Sequence, residues 1–189
     1  RDRMSDAPMD IGLPEKMSFT DHGTYIEFVR KWFGVKFVIL TGFVFIWNGF
    51  LYSFYGEIAG DNAELFVYLF PLIHVGVGLG LTYYVIAGWL NRTYVFADKQ
   101  RIEVQHRPIP WIGAKKIEAR ELKQLYVKEK VSRSNNSNSC SYEVRAVTNG
   151  GQNIKVLGGL EDEEQALFIE QEIEKYLKIE NAPVRGEVG

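Results

Sequence analysis

The sequence has few of the residues that form covalent cross-links or catalytic centres. It contains one cysteine, Cys140, which excludes an internal disulfide and a cysteine-rich zinc site. Its three histidines fall in a turn (His22), in an apolar run (His74) and in a strand pattern (His106). This separation predicts neither a catalytic triad nor a metal site. We therefore expect a protein that is not an enzyme and that holds no cofactor.

A large excess of one charge is also missing. The chain has 22 Lys and Arg against 24 Asp and Glu, which gives a net charge of −2 at pH 7. Basic residues are not interleaved with aromatic residues as on a surface that binds nucleic acid. We therefore expect no nucleic-acid partner.

Two long runs, residues 34–55 and 65–90, are almost free of charge, and the chain is organised around them. The first contains a single charged residue, Lys36, and the second contains none. A helix of about 20 residues crosses a hydrocarbon core of about 30 Å, so the runs predict a transmembrane helical hairpin. Two buried helices of a soluble protein are the alternative, although buried segments seldom stay apolar beyond about 14 residues. Pro71 predicts a kink near the outer end of the second helix.

The charges around these runs predict their orientation. Residues 56–64, between the runs, include acidic residues but no Lys or Arg. The basic residues lie before the first run, at its start and after the second run: Arg30, Lys31, Lys36, Arg92, Lys99 and Arg101. Because cytoplasmic segments are the ones enriched in Lys and Arg, we expect a multi-pass protein of the inner (plasma) membrane with both termini in the cytoplasm.

Small and polar residues inside the runs predict helix packing. Gly76, Gly78 and Gly80 include one GxxxG spacing, which lets helix backbones approach closely. Asn48 and His74 lie at similar depth, and we expect them to bond each other or to face a partner helix. The alternative for His74 is an axial ligand to a haem or another pigment. A single histidine without a second ligand favours the interhelical interpretation.

Residues 1–33 predict a tail followed by a short β-hairpin. Residues 17–20 and 24–29 have strand patterns on either side of Asp21, His22 and Gly23. An isolated hairpin is marginal in water, so we expect it to pair with the sheet that follows the second apolar run. A continuous helix from Thr24 into the first run is the alternative.

Residues 91–180 predict a cytoplasmic domain of short antiparallel strands. Strand patterns cover residues 93–97, 101–107, 116–117, 122–131, 142–148 and 153–157. Residues 132–139 have no apolar side chain and predict a flexible loop, and Asn149, Gly150 and Gly151 predict a hairpin turn. Residues 161–179 predict an amphipathic closing helix with acids in its first turns and Lys175 and Lys178 in its last. Its predicted apolar face has residues at spacings of three and four: Ala166, Ile169, Ile173, Tyr176 and Leu177. We expect residues 181–189 to be disordered.

This α+β arrangement of antiparallel strands and a C-terminal amphipathic helix resembles a pleckstrin-homology-like (PH-like) domain. With the preceding hairpin it is similar to bacterial membrane proteins that have a PH-like domain directly after two membrane helices. The resemblance rests on the hairpin, residues 91–104, the Pro-Ile-Pro-Trp loop at 108–111, and the closing helix. It implies a role in assembly or protein contact and supplies no catalytic residue. A small β-barrel of another kind is the alternative.

A basic segment follows the second apolar run. Residues 92–133 contain 11 Lys or Arg against 5 Asp or Glu, a difference of +6. Lys115, Lys116, Arg120 and Arg92 are its candidates for a basic face against an anionic leaflet. A solvated strand surface with mixed charges is the alternative interpretation.

Three functions follow from these features. The leading hypothesis is an accessory or scaffold subunit that packs within, or assembles, a larger complex of membrane protein subunits. The second is an inner-leaflet module that binds anionic lipids or peptides. The third is a cofactor-bearing subunit that uses His74.

Overall fold

The computed structural model describes residues 12–58, 64–69, 71–134, 137–180 and 187–188. The chain is α+β, with antiparallel sheets and two long apolar helices. It divides into two compact units. The helical unit is Trp32–Asn91, and the β unit comprises the described residues of Arg1–Lys31 and Arg92–Gly189.

The first two strands, β1 (Met17–Asp21) and β2 (Tyr25–Lys31), form the predicted N-terminal hairpin. Its turn depends on Gly23, which has φ of +79° and donates its N–H to the Asp21 carboxylate at 2.7 Å. A left-handed φ of this kind costs glycine little. The hairpin is confirmed, and the alternative of a continuous helix from Thr24 is wrong.

Strand β2 pairs along its whole length with β3 (Arg92–Asp98), which follows the helical unit in the chain. The antiparallel register runs from Tyr25 opposite Asp98 to Lys31 opposite Arg92. The predicted pairing of the N-terminal hairpin with the later sheet is therefore confirmed. In chain order, the helical unit is an insertion between two neighbouring strands.

The remaining strands follow the predicted order. They are β4 (Arg101–Arg107), β5 (Lys115–Glu118), β6 (Leu122–Ser134), β7 (Ser137–Thr148) and β8 (Asn153–Leu160). One sheet has the order β1-β2-β3-β4-β5 and the other β6-β7-β8. Alternate residues of each sheet enter one core, because side chains of a strand point to opposite faces in turn. Fully buried examples are Ile26, Phe28 and Val104 in the first sheet and Leu125 and Val144 in the second.

The predicted flexible loop at 132–139 is wrong. Ser132 pairs with Ser139, Arg133 with Asn138 and Ser134 with Ser137, so β6 and β7 extend as a ribbon beyond the core. Residues 135 and 136 lie outside the described residues. The main-chain hydrogen bonds of the ribbon continue the register set in the core, and this pairing does not itself require apolar side chains. The polar composition therefore did not predict the end of the strands.

Helix α4 (Glu163–Leu177) closes the core and is shorter at both ends than predicted. Its predicted apolar face is confirmed by Ala166, Ile169 and Ile173, which are buried against both sheets. The helix ends at Lys178, which has a left-handed φ of +55°. The predicted disordered tail lies outside the described residues except at 187 and 188. There the N–H of Val188 donates to the carbonyl of Val127 at 3.0 Å.

The helical unit consists of α1 (Val35–Ile58), α2 (Leu65–Leu69) and α3 (Leu72–Leu90). Two candidate spans, Val35–Ile58 and Val67–Leu90, are long and apolar enough to cross a membrane, each with mean hydropathy 1.7. Pro71 lies between α2 and α3, where its ring and missing N–H interrupt the helix. The sequence predicted a kink at this residue, and the structure instead has two separate helices on either side of it.

Two carboxyl groups of α4 are buried in the β unit. Glu170 is 2% exposed, and burial together with the nearby Glu174 and Glu187 raises its pKa to about 8. Glu174 accepts a hydrogen bond from the Leu125 N–H at 3.1 Å, and burial raises its pKa to about 7 despite this bond. Both groups therefore take up protons on folding in neutral solution.

The pKa of Glu170 predicts a loss of stability with rising pH. Its folded-state pKa of about 8 lies above the ordinary 4.5, so the folded chain binds more protons than the unfolded chain between these values. The free energy of unfolding should therefore fall from pH 5 to pH 8, and Glu170→Gln should make that fall smaller. Denaturant titration of the full chain in detergent at both pH values tests this. Glu172→Gln, on the same helix beside Lys175, is the control and should match the wild type.

Candidate functional site

The two long helices meet along a seam, and the end of the seam formed by the start of α1 and the end of α3 is built around Gly88. A side chain at Gly88 would overlap the ring of Phe37, which is 2% exposed. Phe37 also packs on Tyr84, with ring centroids 5.3 Å apart. Beside them, the Trp89 indole N–H donates to the Thr41 hydroxyl at 2.9 Å, and that hydroxyl donates to the Phe37 carbonyl. Glycine here permits the close approach of the two helices.

A second contact lies near the middle of the seam and involves Asn48. Its side-chain amide donates to the Thr82 hydroxyl of α3 at 3.2 Å and to the Val44 carbonyl at 2.9 Å. The Thr82 hydroxyl donates to the carbonyl of Gly78 at 2.7 Å. A Cβ at Gly78 would lie 3.0 Å from the Asn48 side-chain oxygen. Asn48 and Gly78 therefore belong to one interhelical contact.

His74 lies at the edge of the seam and is exposed. Its ring stacks on Trp47, with centroids 5.7 Å apart, and its carbonyl accepts the Trp47 indole N–H at 3.0 Å. Toward the end of α1, the Tyr55 hydroxyl donates to the Tyr68 carbonyl at 3.2 Å. Polar contacts thus link the helices at four levels, from Thr41 to Tyr55.

The predicted glycine set divides between two sides of α3. Gly78 faces α1, whereas Gly76 and Gly80 are exposed and would meet no atom within 4 Å if each had a Cβ. A residue two positions from Gly78 is rotated by roughly 200° around a helix with 3.6 residues per turn. The GxxxG pair therefore lies on the side of α3 away from its contact with α1.

Helix α1 has a second open glycine row that the sequence analysis missed. Gly42, Gly49 and Gly56 recur every seven residues, and a Cβ at any of them would meet open space. The seven-residue spacing of these glycines in the sequence could have predicted that they lie on one side of α1. An open groove lies beside the seam near this row, and its lining includes Asn48, Gly56, Val75 and Leu79.

The four residues of the predicted basic face do not converge in the β unit. Lys115 and Lys116 are adjacent in β5, so they point to opposite faces of the sheet. Lys115 donates to the Lys155 carbonyl at 2.7 Å. Arg120 is exposed in a short 3-10 helix, where its carbonyl accepts from the Asn149 side chain. Arg92 lies at the first position of β3.

No cluster suited to metal binding occurs in the described part of the chain, where no group of three or more His, Cys, Asp and Glu is suitably placed. His106 bonds the Thr93 hydroxyl at 2.9 Å. Burial and the neighbouring Arg30 lower the pKa of His106, which favours a neutral ring. In the β unit, His106 therefore serves as a hydrogen-bonding side chain.

The chain matches no protein-family model, and a comparison with curated proteins finds no relative.

The Gly88 contact predicts that an added methyl group weakens the helix pair. Gly88→Ala should displace the buried Phe37 ring at a cost of about 1–3 kcal/mol, as overpacking does elsewhere. Gly80→Ala is the matched control, because it adds the same methyl group in open space and gains helix propensity. We expect a lower thermal midpoint in detergent for Gly88→Ala alone. Equal midpoints for both variants would contradict the tight contact.

Proposed function

We propose that this chain is a non-catalytic, membrane-anchored subunit that assembles with helices of other membrane proteins. The observation behind this proposal is the division of the α3 glycines. Gly78 and Gly88 serve the contact with α1, whereas Gly76 and Gly80 are open at GxxxG spacing on another side of the helix. The hairpin thus keeps a surface that admits a further helix.

Membrane anchoring is supported by the surface of the two long helices. In the most apolar 18-residue stretch of each helix, only 11% and 18% of the residues are buried, whereas a core helix of a soluble protein is mostly buried. Ile39, Phe45, Ile46, Ile73 and Leu79 are among the large apolar side chains they expose. Lipid is the solvent that fits this surface. The basic residues next to both ends of the insertion favour the inner membrane with both termini in the cytoplasm.

Helix association is the use of the Gly76–Gly80 face that lipid physics favours. Lipid tails are as apolar as leucine, so helices associate there through close packing and hydrogen bonds. Small residues four apart allow another backbone to approach. Gly42, Gly49 and Gly56 offer a similar approach along α1. These surfaces suit other membrane protein subunits as partners.

The β unit suits a role in cytoplasmic protein contact within the same assembly. Its two antiparallel sheets share one core closed by α4, and this architecture is the basis for proposing a PH-like domain. The helical unit is inserted between β2 and β3, so the β unit is joined to the anchor by two strand ends. A domain tethered twice loses less freedom when it binds a partner at the membrane than one on a single linker.

Particle mass tests the assembly proposal. The full chain would be purified from its native membrane in mild detergent as wild type, as Gly76→Leu/Gly80→Leu and as Val77→Leu. We expect the wild type to elute in a particle much larger than the 21.7 kDa chain with its detergent. In the double variant, the amount of this large particle should fall at least about fivefold, because the leucine side chains prevent the close approach of another helix.

Val77→Leu is the control, since it enlarges an exposed side chain that borders the glycine pair, about 60° from Gly80 and about 100° from Gly76 around α3, without filling the space above either glycine. It should retain the large particle. If all three proteins elute with the same mass, the Gly76–Gly80 face has no role in assembly.

A further inference from the structure

Three cations stand side by side at one end of the first sheet. Lys31 of β2 is opposite Arg92 of β3, and Arg92 is opposite Arg107 of β4. Directly paired residues of antiparallel strands point to the same face, with Cβ atoms about 4.5–5.5 Å apart. These residues form a basic row across three neighbouring strands, and all three side chains are exposed. Lys16 extends it at the main-chain level, where its carbonyl accepts the Lys31 N–H at 3.1 Å.

No described carboxylate forms a direct ion pair with the three side chains of the basic row. Lys31 and Arg92 make no side-chain hydrogen bond or ion pair with any described residue, and Arg107 donates to the neutral amide of Gln105. On the same sheet face, Glu27 and Glu103 lie four residues farther along their strands, with main chains about 13 Å from the row. The Gln105 amide bridges Arg107 and the Glu103 carboxylate, and Glu103 pairs directly with Arg101.

The other acids near this end face a different cation. Glu161 and Asp162 act on Arg30, which alternates with Lys31 and lies on the opposite sheet face. Like charges placed directly opposite each other destabilise a sheet. An anion from outside the chain would relieve that repulsion.

An apolar loop begins immediately after the basic row. Residues 108–114, Pro-Ile-Pro-Trp-Ile-Gly-Ala, carry no charge. Ile112 is 87% exposed, the highest exposure of any large apolar side chain described in the β unit. Gly113 fixes the loop with a φ of +108°, and a Cβ there would lie 3.3 Å from the His106 ring. A row of cations beside an exposed isoleucine and Trp111 is the composition of surfaces that enter a membrane interface.

The basic row is adjacent in the chain to the helical unit, so the membrane surface it would meet is the one where the two long helices begin and end. Lys31 immediately precedes the helical unit and Arg92 immediately follows it. Within the helical unit, the Trp32 N–H donates to the Asn91 carbonyl at 3.2 Å, so the two chain segments stay together there. If the helices span the membrane as proposed above, the basic row lies next to the residues that enter the leaflet.

We propose that this end of the sheet is a binding site for the phosphate groups of anionic phospholipids. Lys31, Arg92 and Arg107 bind the headgroup phosphates, and arginine can do so through two parallel hydrogen bonds. Ile112 and Trp111 enter the interfacial layer beside them. The inference rests on the membrane anchoring in the proposed function but not on any partner subunit. The site differs from the face predicted at Lys115, Lys116 and Arg120, where the side chains diverge.

Lipid retention by the full chain in nanodiscs tests the site. Native mass spectrometry would count anionic lipids retained from discs of phosphatidylcholine and phosphatidylglycerol. We expect Lys31→Gln/Arg92→Gln/Arg107→Gln to lower apparent affinity for the anionic lipid by at least about tenfold, since each well-placed basic residue contributes about fivefold. Lys115→Gln/Lys116→Gln/Arg120→Gln removes the same charge and should retain wild-type affinity. Equal loss in both triple variants would reduce the effect to net charge and overturn the site.

Two further measurements exclude trivial outcomes. The basic-row variant should melt no lower than the wild type in phosphatidylcholine, because removing a like-charge row costs the sheet nothing. A lower midpoint would mean that the row is structural. Inorganic phosphate added to phosphatidylcholine discs should not reproduce the stabilisation by anionic lipid; if it does, the site takes free phosphate instead.

Loop insertion has its own readout. In a Cys140→Ser background, a fluorophore on Ile112→Cys should be quenched by spin-labelled lipid, and one on Val131→Cys, in the other sheet, should not. An unquenched probe at position 112 would overturn insertion of the loop. Incorporation into discs reports separately on the helices, so failure of the lipid site is distinguishable from failure of membrane anchoring.

Discussion

The pairing of β2 with β3 is the constraint on which the rest of this structure depends. It joins the N-terminal hairpin to the main sheet through seven consecutive residue pairs, from Tyr25 with Asp98 to Lys31 with Arg92. It also brings together the two points at which the chain enters and leaves the helical unit. Closing so long a loop costs entropy that grows slowly with length, and the buried residues Ile26, Phe28, Val95 and Ala97 offset it. The same register creates the basic row.

The helical unit follows a different logic, in which small residues and satisfied polar groups replace a hydrophobic driving force. Gly88 admits the Phe37 ring, and Thr41 and Thr82 each link a main-chain carbonyl to a side chain of the other helix. Such contacts suit an apolar solvent, where close packing and hydrogen bonds hold helices together. The glycines that this seam leaves open, Gly76 and Gly80, are the reason for proposing a further helix.

Much of the fold was predictable from periodicity. Alternating residues predicted β2, β3, β4, β6, β7 and β8, and the three-to-four spacing of Ala166, Ile169 and Ile173 predicted α4, because each pattern marks one buried face. Sequence periodicity did not predict structure where the fold does not require apolar side chains. The Ser- and Asn-rich ribbon at the ends of β6 and β7 pairs through its main chain, so its composition indicated a loop. The burial of Glu170 also could not be predicted from the sequence, because its carboxyl group is buried in the protonated, uncharged form.

The sequence by itself determined the two apolar runs, the irregularity at Pro71, the strand order of the hairpins and the closing helix, since these follow from local chain geometry and hydrophobic periodicity. Only the tertiary structure decided which glycines face α1, because the rotation of α3 depends on its packing with Phe37 and Asn48. It alone aligned Lys31, Arg92 and Arg107, which are distant in the chain and meet through strand register. It also separated Lys115 from Lys116, because neighbours in a strand face opposite ways.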